Sequence, residues 1–532
     1  MTTAVELLRE GRYDEVWKKY CGFLDLKMDG FMDIQERLLM EQIHLLSKSE
    51  LGRRILGPRT PANVQEFREL VPLTTYDDYP YLMEKREDIL PVKPRVWSRT
   101  SGRSSEAGCK WAPYTKEMVR KVGEFAASSF LLASASERGD VRLREGDVCV
   151  YTMAPAPYFS GAGVATGFME ELKPRFIPSM EEGSKMSFEE RIAVGFRMAM
   201  KEGIDLFYGL SSVLVAIAQN FEKGGGGGKN KMSADMLHPA LLSRYAKAML
   251  KSKLGHRPML PKDLWKVKGI VAGGMDTSFF SSAIENYWGR KPLEGYGGTE
   301  ISGVAIQTYN FKAMTFLPDC NYLEFIPEDD FYKSREDPSF QPRTYPLDEV
   351  KPGVYELVVT NFHGNLFTRY RTGDLIKIVA LRDDEVNVDI PQMAFHARAD
   401  GVIDISGFTR LTEKTIWQSI NEAGITNNGW TAHKEILGSQ PVMHLYIEAN
   451  NGHNMEEAKL LIHDNLKRLD SNYADMTSML GVQPLQVSRL ATGTFERYMD
   501  VKRKAGADLA ILKPPRVNPK ESVLELLLSL DK

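Results

Sequence analysis

Four short segments of this 532-residue sequence carry side chains that could bind a nucleotide. The first, residues 98–113, reads SRTSGRSSEAGCKWAP and concentrates glycine and hydroxyl residues after an extended PRVW stretch. Backbone N–H groups in such a turn can surround phosphate oxygens, and Arg103 and Lys110 would add charged donors. A solvated polar loop is the commoner role of such a segment, so it indicates a phosphate site only together with the others.

The second segment, residues 294–303, reads EGYGGTEISG and places an aromatic ring beside two glycines. Tyr296 can stack on a planar ligand, while the two glycines after it let the backbone approach that ligand closely. Thr299 offers a hydroxyl, and the carboxylate of Glu300 suits a hard cation such as Mg²⁺. The alternative is a glycine turn with a surface glutamate.

The other two segments each supply one charged side chain. In YRTGDLIKI, residues 370–378, Asp374 stands between a turn glycine and a predicted strand, where its carboxylate could accept both hydroxyls of a ribose. A turn aspartate is the more common explanation of that position. In residues 492–517, Lys513 precedes two prolines, which favour an extended backbone and so place its charge. Taken alone, Lys513 would be an ordinary surface lysine.

Composition and charge exclude several classes of function. Hydrophobic residues make up 43% and charged residues 26% of the chain, which is typical of globular proteins and argues against global disorder. A net charge of −3 argues against a nucleic-acid partner. The four cysteines form no CxxC pair and the nine histidines include no HExxH motif. The sequence therefore predicts neither a disulfide framework nor a zinc site. It predicts a reducing compartment.

The four segments are embedded in alternating helices and strands. Apolar stripes at 3.6-residue spacing predict helices within 33–56 and 188–203. Runs rich in valine and isoleucine predict strands at 147–153, 269–274, 353–361 and 374–381. This alternation predicts an α/β fold with a large layered N-terminal domain over residues 1–399. A strand at 442–449 followed by a helix at 455–469 predicts a small α+β C-terminal domain over 400–532.

Two stretches bear on location and mobility. Residues 148–169 contain no charge and are long enough to span a bilayer, but their prolines and glycines favour a strand followed by a buried loop. The N-terminus lacks the apolar core of a secretory signal. We therefore expect a cytoplasmic protein without membrane insertion. Five consecutive glycines within 222–231 predict a mobile surface loop.

In this order, the hydroxyl/glycine loop, YGGTE, YRTGD and the late lysine resemble the adenylate-forming enzymes. More narrowly, the chain resembles the GH3 acyl-acid amido synthetases, named after auxin-responsive plant proteins and also found outside plants. SKSELGRRILG (47–57) and VPLTTYDDYPYL (71–82) are similar to that family's opening region, and GTFERYMDVKRKAGADLAILKPPR is similar to its closing segment. The resemblance covers nearly the whole chain.

The resemblance implies that the chain binds ATP and Mg²⁺. Thr299 would touch the α-phosphate, and Glu300 would help to hold Mg²⁺. Lys513 would bridge the acyl carboxylate and the α-phosphate, which makes Lys513 and Glu300 the expected catalytic residues. The loop residues that would surround the ATP phosphates are Ser101, Gly102, Ser104 and Ser105.

The resemblance also assigns residues to the nucleoside. Tyr296 would stack on the adenine, and Asp374 would bind the ribose hydroxyls. Arg398, in a segment similar to the hinge of adenylating enzymes, would approach the ribose. The glycines expected to lie against the nucleotide are Gly273, Gly274, Gly297 and Gly298.

The implied activity is an ATP-dependent ligation of a small carboxylic acid to an amine, expected to be an amino acid, through an acyl-adenylate. Two features keep alternatives open. Arg103 stands where the family's loop usually has a small hydroxyl residue, and residues 397–413, with Asp400 as a pivot, are closer to adenylating enzymes in general than to the plant synthetases. The alternatives are an acyl-CoA ligase, which shares the adenylation step, and a catalytically inactive nucleotide- or acid-binding homologue.

Overall fold

The computed structural model describes residues 2–100, 110–222, 239–273, 277–337, 339–398, 401–438, 440–449, 454–504 and 514–531. These residues form two compact units, a large one that ends at Ala397 and a small one made mainly of the residues from Arg398 onward. Each unit has its own buried apolar core. The α/β class predicted for the larger part and the α+β class predicted for the smaller part are confirmed.

Helices of the large unit follow the apolar periodicity of the sequence. The helix predicted within 188–203 begins after Ser187, whose hydroxyl accepts from the backbone N–H of Glu190, and ends at Gly203 with φ of 99°. The α-helices are α1 (Ala4–Arg9), α2 (Tyr13–Cys21), α3 (Met28–Ser47), α4 (Glu50–Leu56), α5 (Val64–Leu70), α6 (Lys116–Ser134), α7 (Thr166–Glu171), α8 (Met180–Ser184), α9 (Phe188–Glu202), α10 (Ser211–Asn220), α11 (Pro239–Leu254), α12 (Pro261–Leu264), α13 (Thr277–Trp288) and α14 (Glu328–Glu336).

A large mixed sheet forms the centre of the fold, beside a small antiparallel pair made by β1 (Val96–Arg99) and β2 (Trp111–Tyr114). The strands of the large sheet are β3 (Val148–Tyr151), β4 (Arg175–Ile177), β5 (Leu206–Leu210), β6 (Gly269–Gly273), β7 (Pro292–Gly298), β8 (Ser302–Gln307), β9 (Met314–Phe316), β10 (Asn321–Pro327), β11 (Tyr345–Pro346), β12 (Gly353–Asn361), β13 (Tyr370–Ala380) and β14 (Gln392–Arg398). Their order is β11-β10-β12-β13-β14-β9-β8-β7-β6-β5-β3-β4.

The sheet changes character at β7. Strands β4, β3, β5, β6 and β7 are parallel, whereas β7 pairs with β8 in the antiparallel sense. The parallel strands read as continuous apolar runs because both of their faces are covered. One face contributes to the core that contains α6, and the other packs against a cluster that includes the stacked rings of Trp265 and Trp288. YGGTE therefore lies where the parallel and antiparallel halves meet.

Residues 148–169 differ from their predicted form after the first strand. β3 is a strand as expected, but the glycine-rich part is helical, with a π-helical turn at Ser160–Ala165 followed by α7. The glycines allow close packing of helices rather than forming a loop. A Cβ atom on Gly167 would lie 2.6 Å from the backbone nitrogen of Gly123 in α6, so only glycine fits there. No helix within the described ranges is long and apolar enough to cross a membrane.

The strand predicted at 374–381 begins four residues earlier, at Tyr370, so Asp374 lies inside β13 rather than at the start of the strand. Val358 of β12 pairs with Arg371, but Glu356 pairs with Leu375. Leu357 alone therefore faces Thr372, Gly373 and Asp374, which form a β-bulge in which Gly373 has φ of 70°. The glycine that predicted a turn instead supplies this bulge.

The small unit contains two sheets and five helices within its described residues. β15 (Val402–Ile405) and β16 (Thr409–Thr412) form a hairpin, and β17 (Asn427–Leu437), β18 (Gln440–Ala449) and β19 (Leu485–Arg489) form a three-stranded sheet. The helices are α15 (Glu413–Glu422), α16 (Met455–Leu469), α17 (Ser471–Leu480), α18 (Thr494–Lys504) and α19 (Glu521–Ser529). Inward side chains from α15 and α16 belong to one core, and those from α18 and α19 belong to a second core with Tyr446.

Candidate active site

The ring of Tyr296 and the carboxylate of Asp374 are in direct contact inside the large unit. The Tyr296 hydroxyl donates a hydrogen bond of 2.6 Å to Asp374 Oδ2, and both residues are more than nine-tenths buried. The backbone N–H of Asp374 donates to Thr372 Oγ1, and the Thr372 hydroxyl donates to the backbone oxygen of Leu357. The bulge in β13 thus holds the carboxylate against β7.

Two glycines follow Tyr296 at a sharp turn, and the first of them, Gly297, stands where no larger residue fits. Gly298 pairs with Ser302 and Gly297 with Gly303, and a Cβ atom on Gly297 would lie 2.2 Å from the backbone oxygen of Ser302. Ser302 itself has φ of 56°, a left-handed conformation that is uncommon outside glycine. The chain is therefore turned sharply at Thr299 and Glu300.

Neighbouring side chains hold the backbone of this turn. The Tyr114 hydroxyl donates to the backbone oxygen of Thr299 at 2.8 Å. Asn361 Nδ2 donates to the backbone oxygen of Glu300 at 3.1 Å. Because the turn is fixed through its carbonyl groups, its shape does not depend on the hydroxyl of Thr299 or the carboxylate of Glu300.

Lys110 supplies a cation beside this turn. Its Nζ lies 3.7 Å from Glu300 Oε1 and donates to the Tyr370 hydroxyl at 3.4 Å. The same ammonium group lies 5.1 Å from the centre of the Tyr76 ring. The side chains of Lys110 and Glu300 are 19% and 16% exposed, so the pair is shielded but still reachable from solvent.

Thr100 and Lys110 hold together the two ends of the predicted phosphate loop. The Thr100 N–H donates to the Lys110 backbone oxygen at 3.0 Å, and the Lys110 N–H donates to Thr100 Oγ1 at 3.1 Å. The residues expected to surround the phosphates, Ser101, Gly102, Ser104 and Ser105, lie outside the described residues, as do Arg103, Gly274, Asp400 and Lys513. The base of the loop is therefore placed beside Glu300.

Two other predicted residues are described at the ends of strands. Gly273 is the last residue of β6, and a Cβ atom there would have Met153 Cε, at 3.9 Å, as its nearest neighbour among the described residues. Arg398 is the last residue of β14 and belongs to the small unit. Among the predicted residues, Tyr296, Gly297, Gly298, Thr299, Glu300 and Asp374 come together in the large unit.

Sequence analysis missed several aromatic residues of this site. The Phe395 ring lies 6.0 Å from that of Tyr296 at an angle of 39°. Burial raises the pKa of Tyr114 well above its ordinary value, and the charge of Glu300 raises it further. Burial also raises the pKa of Tyr76 to about 12. Tyr76 and Tyr370 stand inside the motifs VPLTTYDDYPYL and YRTGD, whereas Phe395 and Tyr114 carry no motif signal.

Glu294 is a further missed residue, two positions before Tyr296 on the same face of β7. Its backbone N–H donates to Gln307 Oε1 at 2.8 Å. Burial raises the pKa of the Glu294 carboxyl to about 7. A carboxyl group in this state is partly protonated at neutral pH and can then donate a hydrogen bond.

Together these residues offer three kinds of binding group at one junction of the sheet. Tyr296 and the glycines present an aromatic ring beside exposed backbone, which suits a planar base. Asp374 presents a buried carboxylate, which suits a pair of hydroxyl groups. Glu300 and Lys110 present a carboxylate and an ammonium group, which suit a hard cation and a phosphate respectively.

Comparison with known proteins identifies the family over much of the chain. The sequence matches the GH3 family N-terminal domain over residues 22–153, the GH3 family central domain over 314–398 and the GH3 family C-terminal domain over 414–522. Together these three matches cover more than half of the chain.

Two curated plant proteins are among its relatives. The 4-substituted benzoates-glutamate ligase GH3.12 of Arabidopsis thaliana is 25% identical over 296 residues, covering 50% of this chain and 48% of the relative. The indole-3-acetic acid-amido synthetase GH3.17 of Arabidopsis thaliana is 25% identical over 301 residues, covering 49% and 47%. The chain thus spans about half the length of the curated relatives it matches.

Two solved structures share the fold over nearly the whole chain. The AtGH3.15 acyl acid amido synthetase in complex with 2,4-DB superposes with a TM-score of 0.53 at 16% identity, covering 96% of both chains. A 2-hydroxyisobutyryl-CoA ligase with 2-HIB-AMP and CoA superposes with a TM-score of 0.56 at 14% identity, covering 94% of this chain and 91% of the ligase. The resemblance inferred from the motifs is thereby confirmed, and the chain belongs to the GH3 family.

Proposed function

We propose that this protein is an ATP-dependent acyl-acid amido synthetase, an AMP-forming acid–amino acid ligase. The observation that carries the proposal is the junction at which the buried Tyr296–Asp374 pair and the Lys110–Glu300 pair flank one glycine turn. Membership of the GH3 family and the names of its curated relatives support the amide-forming half of the reaction.

The described residues fit the nucleoside of ATP. The adenine would lie against Tyr296 and the glycine backbone, with Gly273 at the neighbouring strand end and Gly274 after it. The ribose hydroxyls would be bound by Asp374, whose position is fixed by the Tyr296 hydroxyl. Arg398 completes the proposed ribose contacts.

The residues of the turn fit the phosphates and Mg²⁺. Thr299 would donate to the α-phosphate, and the loop residues Ser101, Gly102, Ser104 and Ser105 would donate to the other phosphates. Glu300 would be a ligand to Mg²⁺, since its carboxylate is held at the turn and is part-exposed. The cation supplies countercharge when bound.

The first half-reaction requires two anions to approach each other. A carboxylate oxygen of the acid attacks the α-phosphorus of ATP, the bond to the β-phosphate oxygen breaks, and pyrophosphate leaves. Lys513, the residue proposed to bridge the carboxylate and the α-phosphate, would offset the repulsion together with Lys110 at the turn. Cations placed before the reaction stabilise charge that develops in the transition state.

The second half-reaction does not bring two anionic groups together at the reacting atoms, because the attacking group is an amine. The nitrogen of the amine attacks the carbonyl carbon of the acyl-adenylate, the bond to the phosphate oxygen breaks, and AMP leaves with the electron pair. The amine loses its proton to solvent or to a nearby base. Shielding the adenylate from water during this step prevents its hydrolysis.

An acyl-CoA ligase is the second candidate, because the solved CoA ligase shares the fold with a TM-score of 0.56. It would use the same first half-reaction with a thiol as acceptor. A catalytically inactive homologue would bind nucleotide or acid without exchange.

A matrix of acids against amino acids and CoA tests all three functions. Carboxylate-dependent pyrophosphate exchange reports adenylation, while AMP release and product mass report transfer. We expect exchange with at least one acid, and an amide product with an amino acid but no thioester with CoA. A thioester product would establish the CoA ligase, and no exchange across the panel would establish the inactive homologue.

A cytoplasmic location is part of the proposal. Cys21, Cys149 and Cys320 are buried free thiols, which suits a reducing compartment. Disulfide mapping of Cys109 and these three thiols in protein isolated under native conditions tests it, with four free thiols expected.

A further inference from the structure

The small unit contains a cluster of ligand side chains that the proposed ligase reaction does not use. His433 of β17 pairs directly with His444 of β18, and Glu435 of β17 pairs with Val442, so these side chains lie on one face of the sheet. One nitrogen or oxygen atom from each of His433, Glu435 and His444 lies within 4.8 Å of the other two. We propose that these three residues bind one divalent transition-metal ion of the Zn²⁺ class.

His444 is already oriented as a metal ligand. Its Nε2 is hydrogen-bonded to Ser488 Oγ of β19 at 2.8 Å, and its Nδ1 contacts Glu435 Oε2. When Nε2 donates its proton to Ser488, the lone pair of the ring is on Nδ1 and points at the carboxylate. Metal-bound histidines are held in this way, with the second ring nitrogen donating to a fixed oxygen.

His433 offers the second nitrogen. Its Nε2 is buried and has no hydrogen-bond partner among the described residues. Buried polar atoms are nearly always satisfied, so a nitrogen of this kind needs an explanation.

The three ligands select the class of metal. Two imidazole nitrogens and one carboxylate oxygen suit zinc, cobalt, nickel or copper, whereas Mg²⁺ and Ca²⁺ prefer sites built from oxygen atoms. Ligand atoms of a tetrahedral zinc lie about 3.3 Å apart, given Zn–N distances of about 2.0–2.1 Å. The most distant pair must therefore close by up to about 1.5 Å from the 4.8 Å limit.

The surroundings allow this closure. Glu435 is 33% exposed, so its carboxylate can rotate towards a metal and solvent can fill the fourth position. His444 cannot move far, because its ring stacks on that of Tyr446 at 4.1 Å and Tyr446 belongs to the core formed with α18 and α19. The metal would replace the proton between His444 and Glu435, and would tie β17 to the more deeply packed β18.

Zinc titration of the full-length protein without an affinity tag tests the proposal. The protein is stripped with a chelator and titrated with Zn²⁺ against a chromophoric competitor. We expect one Zn²⁺ per chain with a dissociation constant of about 1 µM or tighter, and a rise in Tm on addition of Zn²⁺. His433→Ala and His444→Ala should each weaken binding at least about a hundredfold, and Glu435→Gln about tenfold.

His463→Ala is the matched control in the same unit. This ring contacts Tyr473 in the other core, so its removal should leave zinc affinity unchanged. Wild-type affinity in both His433→Ala and His444→Ala, or no binding by the wild type at about 100 µM Zn²⁺, would refute the site. Should the histidine variants fail to fold, the visible spectrum of Co²⁺ added to the wild-type protein tests the site instead. Intense visible bands of a four- or five-coordinate ion support the site, and the pale spectrum of hydrated Co²⁺ refutes it.

Discussion

At the scale of single residues, the most informative contact is the hydrogen bond from Tyr296 to Asp374. It joins the ring proposed to stack on the adenine to the carboxylate proposed to bind the ribose. Either residue could be read from its motif, but their contact could not, because 78 positions separate them in the chain. A substitution at one of them should therefore alter the position of the other side chain.

Asp374→Ala should raise the Michaelis constant for ATP about ten- to a hundredfold, because two ribose hydroxyls lose a charged acceptor. Tyr296→Phe keeps the ring but removes the hydrogen bond that positions the carboxylate, so it should raise the same constant by about tenfold or less. Pyrophosphate exchange over a range of ATP concentrations measures both. Equal use of 2′,3′-dideoxy-ATP and ATP by the wild-type protein would show that Asp374 is not the ribose ligand.

Glu300→Gln should lower the rate of adenylation more than it weakens ATP binding, because the amide keeps the shape of the turn but lacks the charge that Mg²⁺ prefers. The loss in exchange rate should be about 10²–10³-fold and should be partly recovered by excess Mg²⁺. Glu69→Gln, at an exposed position of α5, is the control and should behave as wild type. Wild-type exchange by Glu300→Gln at ordinary Mg²⁺ would rule out the metal assignment.

Glu294 should give the free energy of unfolding a distinct pH dependence. Burial raises the pKa of this carboxyl to about 7 from an ordinary value of 4.5. The folded protein therefore holds the proton more tightly than the unfolded chain in this window, and stability falls as the pH rises through it. Relative to Glu294→Gln, the wild type should lose about 1–3 kcal/mol between about pH 4 and pH 8, at about 1.4 kcal/mol per pKa unit.

Urea unfolding of both proteins at each pH measures this difference. Glu189→Gln is the control at an exposed position of α9, and its difference from the wild type should not change with pH. A difference between wild type and Glu294→Gln that is constant over the range would mean that Glu294 has the same pKa in the folded and the unfolded chain.

At the scale of elements, the glycines of α6 and α7 set how closely two helices pack. A Cβ atom on Gly167 would lie 2.6 Å from backbone atoms of Gly123 and Val119, none of which can turn away. Gly167→Ala should therefore destabilise the protein by about 1–3 kcal/mol, as overpacking does. Gly30→Ala is the matched control within α3, where the nearest atom lies 3.8 Å away.

The control should be neutral or stabilising by up to about 1 kcal/mol, because alanine is the better helix former. Urea unfolding monitored by circular dichroism compares the two variants. Equal effects of Gly167→Ala and Gly30→Ala would contradict the packing argument.

Helices and strands were predicted well where the sequence pattern fits one structure only. They were predicted less well where a glycine fits a loop, a helix contact or a bulge equally well. The periodicity of α9 and its two caps are visible in the sequence, and the structure confirms the helix. The helical form of Ser160–Glu171 was not predicted, because glycine reads as a loop residue unless the neighbouring helix is known. The start of the strand at Asp374 was predicted four residues too late for the same reason, since a bulge and a turn can use the same glycine.

The residues of the candidate site also differ in whether the sequence alone could identify them. Motifs identify Tyr296, Glu300 and Asp374 because each belongs to a short, specific pattern that contains glycine. Phe395 and Glu294 reach the site only through strand pairing and burial, which one sequence does not show. His433 and His444 illustrate the limit most clearly: ten residues between them match no metal motif, and only the β17–β18 register brings them together.

At the scale of the whole molecule, the proposed division of labour between half-reactions can be tested through Lys513. Its charge matters while the carboxylate and the α-phosphate are forced together, and that repulsion is gone once pyrophosphate has left. Lys513→Ala should therefore lose carboxylate-dependent exchange by about 10²–10³-fold. It should form amide from a synthetic acyl-adenylate and the right amine at close to the wild-type rate.

Lys502→Ala, at a position on α18, controls for general loss of positive charge in the small unit and should preserve both half-reactions. Equal losses in the two half-reactions of Lys513→Ala would contradict the division. No loss in either would shift the search for the catalytic cation to Arg103 or to Lys110, which lies 3.7 Å from Glu300.

The bulge in β13 has a consequence for how chain length can vary in such proteins. Three residues of β13, Thr372 to Asp374, face Leu357 alone, so β13 carries two residues more than a regular ladder needs. Because side chains alternate with a period of two, a two-residue deletion here would close the ladder and leave every later side chain on its present face. The sheet would survive while the carboxylate beside Tyr296 disappeared. Gene variants shortened by six nucleotides at this point would therefore encode folded proteins that lack the proposed ribose ligand.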